Sequence, residues 1–108
     1  MTTELDVTAG DYGFVWTFTL ENNDGTALDL TGADSVSFKM QLQNTTGVLT
    51  GSMVVDATPT TGIVTYTVGA HDFPEAGRYN CEIEVVFPGS TITFGDITVV
   101  ATGRVPLS

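Results

Sequence analysis

Apolar and polar side chains alternate with period two through most of this chain, and the strongest run lies at residues 79–87. Tyr79, Cys81, Ile83, Val85 and Phe87 share one face; Asn80, Glu82, Glu84 and Val86 share the other. That alternation predicts a strand with one buried side. The same period predicts six more strands. Residues 3–8 turn Leu5 and Val7 inward. Residues 14–21 put Phe14, Trp16, Phe18 and Leu20 on one face, the heaviest aromatic face in the chain. Residues 35–42 bury Val36, Phe38, Met40 and Leu42. Residues 48–55 form a weaker strand interrupted by Gly51, and residues 63–68 align Val64, Tyr66 and Val68. The last strand, from Ser90 to about Ala101, changes phase: Ile92 and Phe94 have one parity, Ile97 and Val99 the other. One extra residue at Gly95-Asp96 restores the phase, so a β-bulge is predicted there.

Turn-forming residues separate these runs. Ala9 to Gly13, Glu21 to Thr26, Thr31 to Asp34, Gln43 to Gly47, Asp56 to Gly62 and Pro88-Gly89 all read as turns or loops, and Ala27 to Leu30 as a short edge segment. Gly77-Arg78-Tyr79-Asn80-Cys81 places a tyrosine two residues before an inward cysteine, just after a glycine corner. This resembles the tyrosine corner of immunoglobulin domains, whose hydroxyl bonds back to upstream backbone. Here the acceptor is expected within residues 71–77. Seven alternating strands, with no helical period, predict an all-β, seven-stranded immunoglobulin-like Greek-key sandwich over residues 1–102. The expected sheets are strands 1, 2, 5 and 4 against strands 3, 6 and 7; a small Greek-key barrel is the runner-up. Residues 103–108 read as a C-terminal tail. The expected core is Phe14, Trp16, Phe18, Val36, Phe38, Met40, Tyr66, Tyr79, Cys81, Ile83 and Val85.

Charge narrows the partners. Lys39, Arg78 and Arg104 stand against thirteen carboxylates, a net charge of −10 over 108 residues. Such a chain has no basic footprint for nucleic acid and is repelled by an anionic membrane surface. The N-terminus is acidic and does not read as a signal peptide, and no run approaches a membrane span. A single cysteine cannot form an intrachain disulfide.

The candidate chemistry is sparse. His71, the sole histidine, has no Gly-x-Ser-x-Gly elbow to work with. Glu82 and Glu84 share an outward face, about 7 Å apart by strand rise, and read as a solvated or docking face. Glu21, Asn22, Asn23 and Asp24 offer oxygens to calcium, but lack the spacing of a twelve-residue calcium loop, so a plain turn is favoured. Cys81 reads as a small buried hydrophobe. No catalytic, cofactor-binding or metal-ligating residue is assigned, and the chain is read as a non-enzyme.

Two segments carry a family resemblance. One is Asp29-Leu30-Thr31-Gly32-Ala33 with the strand from Val36 to Met40. The other is Gly62 to Tyr66, then Ala76-Gly77-Arg78-Tyr79 and the Ile92-Thr93-Phe94 strand. Together they resemble the immunoglobulin-like N-terminal domain of tailed-phage baseplate upper proteins, over most of residues 10–100. The resemblance implies a non-enzymatic virion part, on the tail, baseplate or fibre base, that packs against copies of itself or other virion structural proteins. Family members usually continue into a linker and a fibre or receptor-binding-protein-holding region; this sequence stops at Ser108, so a stand-alone structural module is expected. A capsid decoration or head-fibre protein is the alternative. A second is a carbohydrate-binding or adhesion-like sandwich that meets a host-surface glycan through Tyr12 and Phe73. Assembly contacts are expected along strand edges and from Arg104, Val105 and Leu107 of the tail, where the two apolar residues have no core left to join.

Overall fold

The computed structural model describes residues 3–103. The strands are β1 (Thr3–Thr8), β2 (Val15–Thr19), β3 (Ser35–Leu42), β4 (Leu49–Ser52), β5 (Val54–Val55), β6 (Ile63–Thr67), β7 (Gly77–Phe87) and β8 (Ser90–Thr102). They form a two-sheet, all-β sandwich. One sheet has five strands in the order β1-β8-β7-β3-β4, the other three in the order β2-β6-β5. The alternation on β3 and β7 is read out faithfully: Val36, Phe38 and Met40 pair with Val85, Ile83 and Cys81, and all six are buried.

Two expectations about strands change. Residues 48–55 are two strands rather than one, so eight strands replace seven. The Met53 N–H donates to the Val36 carbonyl of the larger sheet at 2.9 Å, whereas the next residue, Val54, pairs with Thr65 of the smaller. Successive residues of a strand direct their backbone groups to opposite sides, so an edge strand can pass from one sheet to the other. Gly51 makes room for the crossing: a Cβ there would collide with the Tyr66 ring and hydroxyl.

The expected partition into strands 1, 2, 5 and 4 against 3, 6 and 7 is also corrected. β1 lies in the larger sheet, parallel to β8, from Thr3 opposite Ile97 to Thr8 opposite Thr102. That register sets Leu5 and Val7 beside Val99 and Ala101, joining two apolar faces. Alternation determines which face is buried and leaves the choice of neighbour to the whole chain. Ala27 to Leu30 forms no strand beyond a single bridge between Glu21 and Ala27; Leu28 and Leu30 are nonetheless buried. The bulge falls where expected. The β7–β8 register passes from Cys81–Ile97 to Ile83–Phe94, so Gly95 and Asp96 together oppose Glu82. Asp96 takes the left-handed conformation, φ 60°, which aspartate tolerates better than most residues.

Aromatic rings join the sheets. Phe38 stacks against Tyr66 at 4.8 Å and Phe18 at 5.7 Å, with Trp16 tilted towards it at 6.1 Å. Eight of the expected core residues are buried; Phe14, Trp16 and Phe18 are only half-buried, packed against the core from its rim. The smaller sheet is three strands wide against five, and β2 is its outer strand, so the inward face of β2 is open along one side. Phe38→Ala is expected to lower unfolding free energy by about 3–5 kcal/mol and Trp16→Ala by roughly half as much, because Phe38 loses full burial and leaves a cavity while Trp16 is already partly solvated. Urea unfolding with unchanged m-values checks both.

Candidate assembly surface

The corner before β7 is tied down by its own side chains. The Tyr79 hydroxyl donates to the Glu75 carbonyl at 2.8 Å and accepts from the Glu75 N–H at 3.2 Å. This is the tyrosine corner expected from Gly77 to Cys81. A second tie lies beside it: the Tyr66 hydroxyl and the Gly69 N–H both donate to Asp72 Oδ2, the latter at 2.7 Å. Burial, reinforced by the Asp72 carboxylate, raises the Tyr66 pKa well above its ordinary value. Between them Phe73 enters the core, 1% exposed, edge-on to Tyr79 at 4.9 Å and 5.6 Å from Trp16. Phe73 is therefore not free to meet a glycan, and of the two aromatics on which that reading stood, only Tyr12 is exposed. The burial of Phe73 was hidden in the sequence because it falls in a loop rather than in an alternating run.

The polar candidates are engaged in structure. Lys39 Nζ lies 3.2 Å from Glu84 Oε2, and Arg78 reaches Glu4 across β8 at 3.4 Å. Both are exposed enough for water to weaken them, so they place charge more than they stabilise. Glu84 is thus an ion-pair partner on the outward face of β7. Asp24 Oδ1 accepts from the Thr26 hydroxyl at 2.6 Å and the Thr26 N–H at 3.0 Å; these bonds hold its carboxyl below the usual range. That geometry is a side-chain-closed turn. His71 is exposed in the corner loop. Among the described residues, no group of three His, Cys, Asp or Glu side chains is placed to hold a metal. The expected contact residues Arg104, Val105 and Leu107 lie outside the described residues.

What remains is a set of strand edges. β1 and β4 end the larger sheet, β2 and β5 the smaller. β2 is the edge with half-buried aromatic side chains beneath it. Leu20 and Phe14 exchange backbone bonds with Gly62 and Val68, so Phe14, Trp16, Phe18 and Leu20 direct their backbone groups to β6 and its flanks, and Val15, Thr17 and Thr19 direct theirs outward. Among the described residues no strand lies beyond them. Between β2 and the larger sheet lies a groove in two sections that share no lining residue. One section, of about 690 Å³, is walled by Phe18, Leu20, Ile83 and Phe94. The other, of about 380 Å³, lies between Trp16, Phe14 and Val7 and is bordered by Thr102.

A sequence model of the BppU N-terminal domain matches residues 6–102. The chain belongs to that family. The resemblance to baseplate upper proteins read from Asp29–Ala33 and Gly77–Tyr79 is borne out, and with it the reading of a non-enzymatic structural part of a tailed-phage virion. No protein of curated function matches. Among solved structures, the chain is similar to a family 123 glycoside hydrolase from Clostridium perfringens, at 13% identity and a TM-score of 0.41, over 96% of this chain and 23% of that one. In the described residues of this BppU N-terminal domain, the sheets end at the outer strands β1, β4, β2 and β5.

Two measurements test the corner and the core beneath it. Tyr79→Phe is expected to cost about 0.5–1.5 kcal/mol of stability, the net value of a hydrogen bond, with proteolysis increased at residues 69–76. Burial pushes the Cys81 thiol from 9.0 to about 12. A thiol whose pKa is higher folded than unfolded contributes stability that is complete below pH 9 and lost as pH rises towards 12. The native protein should therefore resist thiol reagents at pH 8 and lose stability above pH 9, and Cys81→Ala should flatten that decline, as read by thermal unfolding across pH.

Proposed function

We propose that this domain works by edge and tail docking, joining other copies of itself and other virion structural proteins in the phage tail or baseplate. The single observation that carries this is the match to the BppU N-terminal domain over nearly the whole sandwich. Unpaired backbone groups along an outer strand are a ready template for a partner strand. The strand order favours an immunoglobulin-type Greek key as the finer description, with β2 and β6 in one sheet and β3, β7 and β8 in the other. Residues 1–102 act as the folded unit and residues 103–108 as an extension that supplies Arg104, Val105 and Leu107 to the contact.

The charge distribution supports the same reading. Both described cations are paired with carboxylates, so the rest of the surface is acidic and keeps copies apart in solution. Contacts are then confined to uncharged stretches, such as residues 12–20 on β2. Individually weak contacts gain from repetition in a symmetric ring. Deleting residues 103–108 should reduce incorporation of the protein into particles several-fold, measured by quantitative mass spectrometry of purified virions, while the circular dichroism of the isolated protein stays the same. Unchanged incorporation would leave the strand edges alone as the docking surface.

A further inference from the structure

We infer that the open edge of β2 is a strand-acceptor site, and that its occupant is the segment Arg104–Ser108 of a second copy of this chain. The inference rests on the assembly role proposed above and adds where the tail goes. Three observations lead to it. The smaller sheet stops at β2, whose Val15, Thr17 and Thr19 present their N–H and C=O groups to a side on which no strand lies among the described residues. That edge carries no charge between Asp11 and Glu21, unlike protected edges, which are blunted with Lys, Pro or a bulge. Beneath it the aromatic face of Phe14, Trp16 and Phe18 is only half-covered, above the groove that separates it from β8 and β1. A fourth strand would complete the hydrogen bonding and cover the rings together.

The tail matches this site in parity and backbone chemistry. Val105 and Leu107 are two residues apart, so in an extended chain both face one way. In a parallel pairing that sets Val105 opposite Trp16 and Leu107 opposite Phe18, both side chains enter the groove. In that arrangement the residues opposite Trp16 and Phe18 bond to the backbone of Val15, Thr17 and Thr19 on either side. Pro106, opposite Thr17, then turns its missing donor to the outer edge, the one place in a sheet where proline is tolerated. The proline also stops a further strand from adding. An antiparallel pairing with the same side chains inward would instead ask Pro106 to donate to Thr17, which it cannot do.

A second copy is favoured over the chain's own tail by distance. Thr102 ends β8 in the larger sheet, beside the head of the groove. Crossing to a sheet about 10 Å away takes roughly three residues at no more than about 3.6 Å each. Only Gly103 and Arg104 lie between Thr102 and Val105, so the chain's own tail would have to turn and cross that gap within two residues to set Val105 opposite Trp16. A neighbour's tail can lie along the whole strand.

Trp16, the one tryptophan, reports directly on the site. The chain 1–108 and a version ending at Gly103 are compared by sedimentation equilibrium and tryptophan fluorescence, at protein concentrations up to about 1 mM because a one-strand interface falls in the weak class. The 108-residue chain should approach twice its 11.4 kDa mass, with Trp16 emission shifted to shorter wavelength as the ring is covered. The shortened chain should be monomeric, and a synthetic peptide of residues 103–108 should restore the shift. Thr17→Pro, which removes an outward N–H that the β2–β6 ladder does not use, and Leu107→Asp should each return the full chain to monomer with unchanged circular dichroism. A monomeric full chain that still shows the shift would mean that the tail docks on its own β2, and would overturn the proposal. So would a dimer that survives loss of the tail. If tail deletion lowers virion incorporation but leaves mass and emission unchanged, this inference fails while the assembly role stands; if the protein is absent from particles, the role itself fails.

Discussion

Phe38 is the contact on which the sandwich depends. Its ring is fully withdrawn from solvent in the middle of β3 and takes Tyr66 and Phe18 from the opposite sheet against it. A ring in that position brings two strands of the smaller sheet onto one of the larger, and stacked pairs gain beyond the area they bury. Its demands spread outward. Tyr66 can lie flat against Phe38 only because Gly51 has no side chain. The Tyr66 hydroxyl, drawn into the core, needs a partner and finds Asp72. Asp72 then holds Gly69, and the loop so fixed delivers Phe73 onto Tyr79 and Trp16. The corner is thus a consequence of the aromatic stack as much as of its own turn residues.

The inequality of the sheets has a functional meaning. A five-stranded sheet covered by a three-stranded one leaves part of its inner face, and part of the facing aromatic strip, without a lid. In an isolated protein such an opening costs stability. In the assembly role proposed above, it is a place for a neighbour. Charge does not oppose that role: residues 12–20, which include β2, carry no charged side chain, so no like-charge repulsion acts directly at that edge.

The sequence by itself determined which residues form strands and which face of each is buried. Period-two alternation is a direct consequence of strand geometry, so the inward sides of β3 and β7, the bulge at Gly95-Asp96 and the Tyr79 corner could all be read from local spacing. The absence of a catalytic constellation and the family were legible in the same way, from residues close together in the chain. The tertiary structure alone decided which strands are neighbours. β1 joined β8 rather than β2, and the strand at 48–55 divided between the sheets, because pairing depends on how distant segments share one core and local alternation is blind to it. Phe73 was pulled from a loop into that core, where no periodicity could mark it. The half-covered face of β2 arises in the same way: its side chains read as core, and only the width of the sheet around them left their edge open.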